Sequence, residues 1–321
     1  MLTCLPCPPF RPFRLVRPVR LDRLTTKEHP LLDDIRARLE KALGGTYRFE
    51  RELGGGGMSR TYVATELALG RRVVIKVLSP DLLEGLSIER FRREIMLAAQ
   101  LQHPHVVPVH SAGDVAGLPW FTMPYVEGQS LRHRLEHGPL GISEAVSVLR
   151  DVARALSYAH AHGVVHRDIK PDNVLLATDS ATVTDFGIAK AITAARSEGA
   201  ANRTLTQVGT SIGTPTYMSP EQALGDAATD HRTDIYAFGV MAFEALTGEP
   251  PFQGDTPARL LAAHMNQAPP DLLALRPDCP ERLADLIMRC LAKEPSARPQ
   301  LATELSRHLE TITSTGAIAA A

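Results

Sequence analysis

The hydrophobic pattern changes character once along this chain, and that change limits the folds open to it. From Tyr47 to about Met123 the apolar residues fall in short β-like runs, "TYRFERELG", "TYVATE", "RRVVIKVL" and "LPWFTM", interrupted by a helical segment around Ile88 to Leu101. Beyond Gly128 the spacing is helical almost throughout, as in "SEAVSVLRDVARALSYAHAHG", "TDIYAFGVMAFEALTG" and "ERLADLIMRCLAK". Alternating runs fit a pleated sheet and a period near 3.6 fits packed helices. The chain therefore reads as α+β, with a small sheet-rich part over 47 to 127 and a larger helical part over 128 to 309. The junction falls in "YVEGQS", residues 125 to 130, and a cleft between two such parts is a natural ligand site.

The flanks read differently. "LLDDIRARLEKAL" sets Leu31, Ile35, Leu39 and Leu43 at intervals of four, with Gly44 and Gly45 as a stop. This predicts a short amphipathic helix and linker over 31 to 46, ahead of the main domain. Residues 1 to 30 carry six Lys/Arg against two Asp/Glu and are rich in proline, which forbids helix and interrupts strand pairing. Disorder is the expectation there, with a polybasic contact to an anionic partner as the alternative. A flexible tail is expected over 310 to 321.

Composition excludes some classes of function. A formal net charge of −1 over 321 residues argues against a dedicated nucleic-acid binder, which presents a basic face to phosphate. Cys4, Cys7, Cys279 and Cys290 form no disulfide framework at this length, and the C-x-x-C spacing of the first two has no second pair to complete a zinc site. No apolar stretch approaches the roughly 20 residues of a membrane helix, and no secretory signal is visible. A cytoplasmic protein without integral membrane association is expected.

The polar residues set in apolar surroundings are more informative. "HRDIKPDN" places Asp168 and Asn173 five apart beside Lys170, and Asp185 follows twelve residues later in "TDFG". Carboxylate and amide oxygens are hard ligands suited to Mg2+, which is usually shared with substrate phosphates. In "VVIKV" the ammonium of Lys76 lies within an apolar strand and needs a counter-charge. The helix "IERFRREIMLAA" offers Glu94, with Glu89 as the other candidate. Upstream, "GGGGMSR" lies between two strands, a hairpin context suited to covering phosphates. His160 and His162 read as ordinary helix-end residues.

Taken together and in this order, these motifs resemble the bacterial, eukaryotic-type serine/threonine protein kinases over residues 47 to 309. The resemblance implies a bilobal fold, with a β-rich N-lobe and a mainly helical C-lobe, and transfer of the γ-phosphoryl group of ATP to protein substrates. It implies that Asp168 takes the proton of the acceptor hydroxyl and that Lys170 offsets charge on the transferred group. Lys76, paired to Glu94, would contact the α- and β-phosphates, and Asn173 and Asp185 would hold Mg2+. The nucleotide would lie among Leu53, Gly54, Gly55, Gly56, Gly57, Met58, Ser59, Thr61, Val74, Met123, Pro124 and Val126. Met123 would be the gatekeeper residue. Proline at 124 is compatible, because that position is asked only for its carbonyl.

The same resemblance assigns an activation segment between Asp185 and Glu221, with Thr204, Thr206, Thr210 and Ser211 as candidate phosphorylation sites, Thr206 and Thr210 first. A phosphate there would pair with Arg167, and Thr214 would contact the catalytic loop. Autophosphorylation in trans would call for a homodimer. Asp234 would brace the catalytic loop, and Arg298 would pair with Glu221. Three positions depart from the family pattern: Ser59 replaces a loop glycine, Thr61 a valine and Val74 an alanine of the adenine roof. The alternative is a pseudokinase, a nucleotide-responsive binding module. Retention of Lys76, Glu94, Asp168, Asn173 and Asp185 favours the enzyme.

Overall fold

The computed structural model describes residues 30 to 56, 59 to 79, 87 to 178, 180 to 187, 215 to 226 and 229 to 319. The basic segment before Pro30, the loop tip Gly57-Met58 and the activation-segment residues named above, Thr204, Thr206, Thr210, Ser211 and Thr214, lie outside these ranges.

The β-like runs form one antiparallel five-stranded sheet. Its strands are β1 (Tyr47–Gly56), β2 (Ser59–Glu66), β3 (Arg71–Leu78), β4 (Ser111–Val115) and β5 (Leu118–Pro124), in spatial order β1-β2-β3-β5-β4. Register decides what each face carries. Thr61 lies opposite Lys76, which lies opposite Phe121, and Val63, Val74 and Met123 form the next row. Because side chains alternate, these residues share the face that looks into the cleft.

The other face carries Tyr62, Ala64, Val73, Ile75, Val77 and Trp120, and it is covered by α1 (Pro30–Leu43). Ile35 and Leu39 of this helix are buried among them, and Arg38 Nη2 donates to the Ala116 carbonyl at 3.0 Å. The amphipathic stripe therefore makes α1 a part of the N-lobe core rather than a separate leader.

Helix α2 (Ile88–Ala98) is capped by Ser87, whose hydroxyl accepts from Arg90 N at 3.4 Å, and it buries Phe91, Ile95 and Ala98. It stops short of the Leu101 boundary expected from the periodicity. Gly128 then lets the chain pass into the C-lobe: its φ is +148°, and a Cβ there would sit 2.0 Å from the Leu176 carbonyl oxygen.

The C-lobe begins with β6 (Gln129–Ser130), α3 (Leu131–Leu135) and α4 (Ile142–Ala161). A 3-10 turn (Pro171–Asn173) leads into β7 (Val174–Leu176), which pairs with β6 and with β8 (Ala181–Val183). After a second 3-10 turn (Pro215–Tyr217) come α5 (Pro220–Leu224), α6 (Arg232–Thr247), α7 (Pro257–Asn266), α8 (Leu272–Leu275), α9 (Glu281–Cys290) and α10 (Ala302–Ala319). Helix α6 is buried from Thr233 to Leu246, so the other helices pack around it. The tail expected from residue 310 is helical to Ala319: Leu305 and Leu309 are buried, and Arg154 of α4 holds Glu310 at 2.8 Å. Among the described residues no helix is long and apolar enough to cross a membrane.

Candidate active site

The floor of the cleft is the segment 164 to 173, and one buried carboxylate organises it. Asp234, in the first turn of α6, accepts from the backbone N–H groups of His166 at 2.8 Å and Arg167 at 2.7 Å, and from His160 Nε2 at 2.8 Å. Burial works to raise this carboxyl, but the hydrogen bond and charge of His160, with those of His166, hold it below the usual carboxylate range. Asp234 thus braces the loop as expected. His160 does more than end a helix, since it is a partner of that carboxylate. The loop needs the brace, because Arg167 sits in the left-handed region at φ 67°.

Around the brace the polar groups converge. The Asp168 N–H donates to His166 Nδ1 at 3.2 Å, and His166 Nε2 donates to the Thr184 carbonyl at 2.9 Å. The ring of His166 meets Phe186 edge-on, with centroids 4.7 Å apart. Lys170 Nζ lies 2.8 Å from Asp168 Oδ2. Asn173 Nδ2 donates to the Asp168 carbonyl at 2.7 Å and to Oδ2 at 3.1 Å, which leaves its amide oxygen available as a ligand. Thr184 N donates to Asn173 O at 2.9 Å, so the chain leading to Asp185 is tied to the floor.

Asp185 has φ 69° and Gly187 has φ 73°, a left-handed turn on each side of the buried Phe186. This turn carries the Asp185 carboxylate to Lys76 Nζ, to which it is bonded. Lys76 is joined to Asp185, an ion pair that the resemblance did not assign. Among the described residues Asp185 supplies the counter-charge to Lys76, and Glu94 stands half-buried on α2. The turn brings Asp185 into contact with the ammonium, and that ion pair meets the need created by burial.

The roof and back of the cleft are apolar. Val74, Val107 and Met123 cluster with Tyr125, Val126 and Leu175. Leu175 comes from β7 and closes this cluster from the C-lobe side, and nothing in the local pattern of "NVLL" distinguishes it from a core residue. Pro124 pairs with Val73 at the end of β5, and Leu53 is exposed at the rim. Gly54, Gly55 and Gly56 pair with Thr61, Arg60 and Ser59, so the glycines continue the hairpin towards the tip. Gly54 has φ 110°, at a bulge beside Glu52, and this is where the loop requires glycine. A cavity of about 380 Å³ between α8 and α9, lined by Asp271, Leu273, Glu281 and Met288 among others, touches none of these groups.

The distal anchors also form. Arg298 holds Glu221 through two bonds of 2.7 and 2.8 Å, with its side chain fully buried, and Gln222 Nε2 donates to the Arg167 carbonyl at 3.0 Å. A further network was not anticipated. Arg132 Nη1 donates to Glu244 Oε1 at 2.6 Å, and Tyr217 OH is bonded to both partners. Burial, then the charge of Glu244, pushes the Tyr217 phenol well above its ordinary range, so it remains a hydrogen-bond donor.

A small antiparallel sheet over a helical lobe, with a lysine, two aspartates and an asparagine facing each other at the seam, defines a kinase-type phosphotransferase architecture. The chain belongs to the protein kinase domain family, whose sequence profile matches residues 47 to 309. It is 40% identical over 274 residues to serine/threonine-protein kinase PknB of Mycobacterium tuberculosis, covering 83% of this chain and 43% of that protein. It is 35% identical over 274 residues to serine/threonine-protein kinase PrkC of Bacillus subtilis, covering 84% of this chain and 41% of that protein. The chain thus spans less than half the length of these relatives. The crystal structure of the Mycobacterium tuberculosis PknI kinase domain superposes with a TM-score of 0.65 at 30% identity, covering 83% of this chain and 96% of that one.

Proposed function

We propose that this chain is a serine/threonine protein kinase that transfers the γ-phosphoryl group of MgATP to Ser or Thr hydroxyls of protein substrates. The observation that carries this reading is the convergence of Lys170 and Asn173 on Asp168 Oδ2, at 2.8 and 3.1 Å, facing the Lys76–Asp185 pair. The donor chemistry fits Mg2+: an amide oxygen from Asn173 and a carboxylate from Asp185 are hard ligands on the two sides of one small space. Held by Asn173 and Asp185, Mg2+ would offset the charge that develops on the phosphate oxygens.

The chain's own groups do the rest. Asp168 orients the acceptor hydroxyl and takes its proton while the hydroxyl oxygen bonds the γ-phosphorus and the bond to the β-phosphate oxygen breaks, leaving ADP. Lys170 stabilises charge on the transferred group. Lys76 steadies the α- and β-phosphates, and Glu94 of α2 would pair with its ammonium. Val74, Met123, Val126 and Leu175 exclude water around the adenine, with Leu53, Thr61 and Ser59 at the rim. Such a site works by alignment and charge stabilisation, with little covalent chemistry of its own.

Arg167 supports a regulatory step. Its Nε is buried without a hydrogen-bond partner among the described residues, and a phosphate on Thr206 or Thr210 would supply one. We assign activation to autophosphorylation at one of these positions, between two copies of the chain. A cytoplasmic setting supplies ATP and keeps the buried free thiols of Cys279 and Cys290 reduced.

The test is incubation of purified protein with MgATP and a generic protein acceptor, with phosphosite mapping beside an Asp168→Asn control. Transfer by the wild type and a loss of roughly a hundred- to ten-thousandfold in the control support the enzyme. ATP binding without transfer by the wild type would instead identify a nucleotide-responsive binding module.

A further inference from the structure

Thr184 precedes Asp185 and is buried, yet its side chain has no part in the chemistry described above. Its backbone is fully used: the N–H donates to Asn173 O and the carbonyl accepts from His166 Nε2, both at 2.9 Å. Those two bonds fix the strand to the floor and do not involve the hydroxyl. The hydroxyl lies 3.2 Å from Met123 Sδ and 3.5 Å from Asp185 Oδ1. The other oxygen of that carboxylate, Oδ2, is the one bonded to Lys76.

A threonine hydroxyl has one proton to donate, and a carboxylate is a far stronger acceptor than a thioether. Asp185 also sits at φ 69°, in the left-handed region that persists only where neighbouring groups hold it, so the turn that aims its carboxylate depends on its surroundings. Among the described residues Thr184 Oγ1 is the donor that faces Oδ1.

We infer that Thr184 is a positioning residue: its hydroxyl orients the Asp185 carboxylate for the metal, and the same proton is shared with the Met123 sulfur that lines the adenine pocket. The inference rests on the assignment of Asp185 as a metal ligand made above. It makes Met123 and the metal ligand partners in one hydrogen-bond equilibrium, so filling the adenine pocket and holding the metal are coupled through a single hydroxyl. Groups that hold a ligating side chain from behind typically change metal affinity by about 10- to 100-fold when removed.

The measurement is calorimetric binding of ADP, with and without Mg2+, to the full chain, so that no turnover is involved. Thr184→Val replaces the hydroxyl with a methyl of the same shape and keeps both backbone bonds. It is expected to bind metal-free ADP as the wild type does and to lose about tenfold of the gain in affinity that Mg2+ confers. Thr184→Ser should restore that gain. Equal weakening with and without Mg2+, no change at all, or failure of Thr184→Ser to rescue would each overturn the inference. A wild type that gains affinity from Mg2+ but transfers no phosphate would sink the proposed activity and leave the role of Thr184 standing. A wild type that gains nothing from Mg2+ would remove the metal-ligand assignment and this inference with it.

Discussion

The two sides of the cleft are held in different ways. The floor is over-determined: Asp168 is reached by Lys170 and Asn173, and the loop behind it is held by Asp234, His160 and Gln222. The roof depends on strand register, a short hydrophobic cluster and a few contacts to the floor, the Lys76–Asp185 pair and the Thr184–Met123 contact among them. A buried, fully partnered network resists rearrangement, because each group released would be left unsatisfied. A roof joined to the floor by few polar contacts can exchange partners at lower cost. The chemistry is therefore built into the C-lobe, and the adjustable elements belong to the N-lobe.

The largest effect expected is on the floor. Asp234→Ala strands the N–H groups of His166 and Arg167, and stability should fall by about 3 to 5 kcal/mol, read as a lower urea midpoint, together with loss of transfer. Unchanged stability in that variant would end the contrast drawn here.

Next comes acid sensitivity within the same lobe. Burial, with the charge of Lys293, lowers the pKa of His264 to about 4, and its Nδ1 is paired with the Tyr236 hydroxyl at 2.9 Å. Because the folded pKa lies below the unfolded value of about 6.5, the folded state favours the neutral ring. The contribution is fully present above about pH 6.5 and is lost as pH falls towards 4, on the order of 3 kcal/mol across that window. Thermal melts from pH 7 to 4 should show this slope, and His264→Gln should flatten it.

On the roof, Leu39→Ala opens the contact between α1 and the outer sheet face. A cost of about 2 to 3 kcal/mol is expected, with the Michaelis constant for ATP rising more than kcat falls, because the floor is untouched. An equal effect on both constants would mean that α1 communicates with the catalytic loop. The smallest change is Ser59→Gly, which removes a Cβ from the glycine-rich hairpin between β1 and β2. It should retain activity and lower the Michaelis constant for ATP by about threefold or less. Collapse of activity would give the Ser59 hydroxyl a role of its own.

Legibility in the sequence follows the same division. Lys76, Asp168, Lys170, Asn173 and Asp185 could be found because each depends on residue type and short spacing: a lysine in an apolar strand, an Asp and Asn five apart, an aspartate before Phe-Gly. Asp234 and the Arg298–Glu221 pair were reached through resemblance to the family, and their hydrogen bonds bear it out. His160, Leu175 and the Arg132–Glu244–Tyr217 network escaped, since a helix-end histidine or a strand leucine has the same local pattern whether or not it meets a distant partner. The helical continuation to Ala319 also escaped, because the side chains that pack α10 lie on α4, far back in the chain.

Legible from local sequence were the order of sheet and helix, the amphipathic stripe of α1, the hairpin setting of the glycines and the polar side chains that meet in the cleft. These depend on local periodicity, backbone freedom and functional-group chemistry, all of which act over a few residues. Three features depend on contacts between distant parts of the chain: α1 seals the outer face of the N-lobe sheet, His160 stands behind Asp234, and Lys76 holds Asp185. The last of these joins residues 109 apart in the chain. No local pattern measures such a distance; it is set by how the two lobes close on each other, which a run of a few residues does not encode.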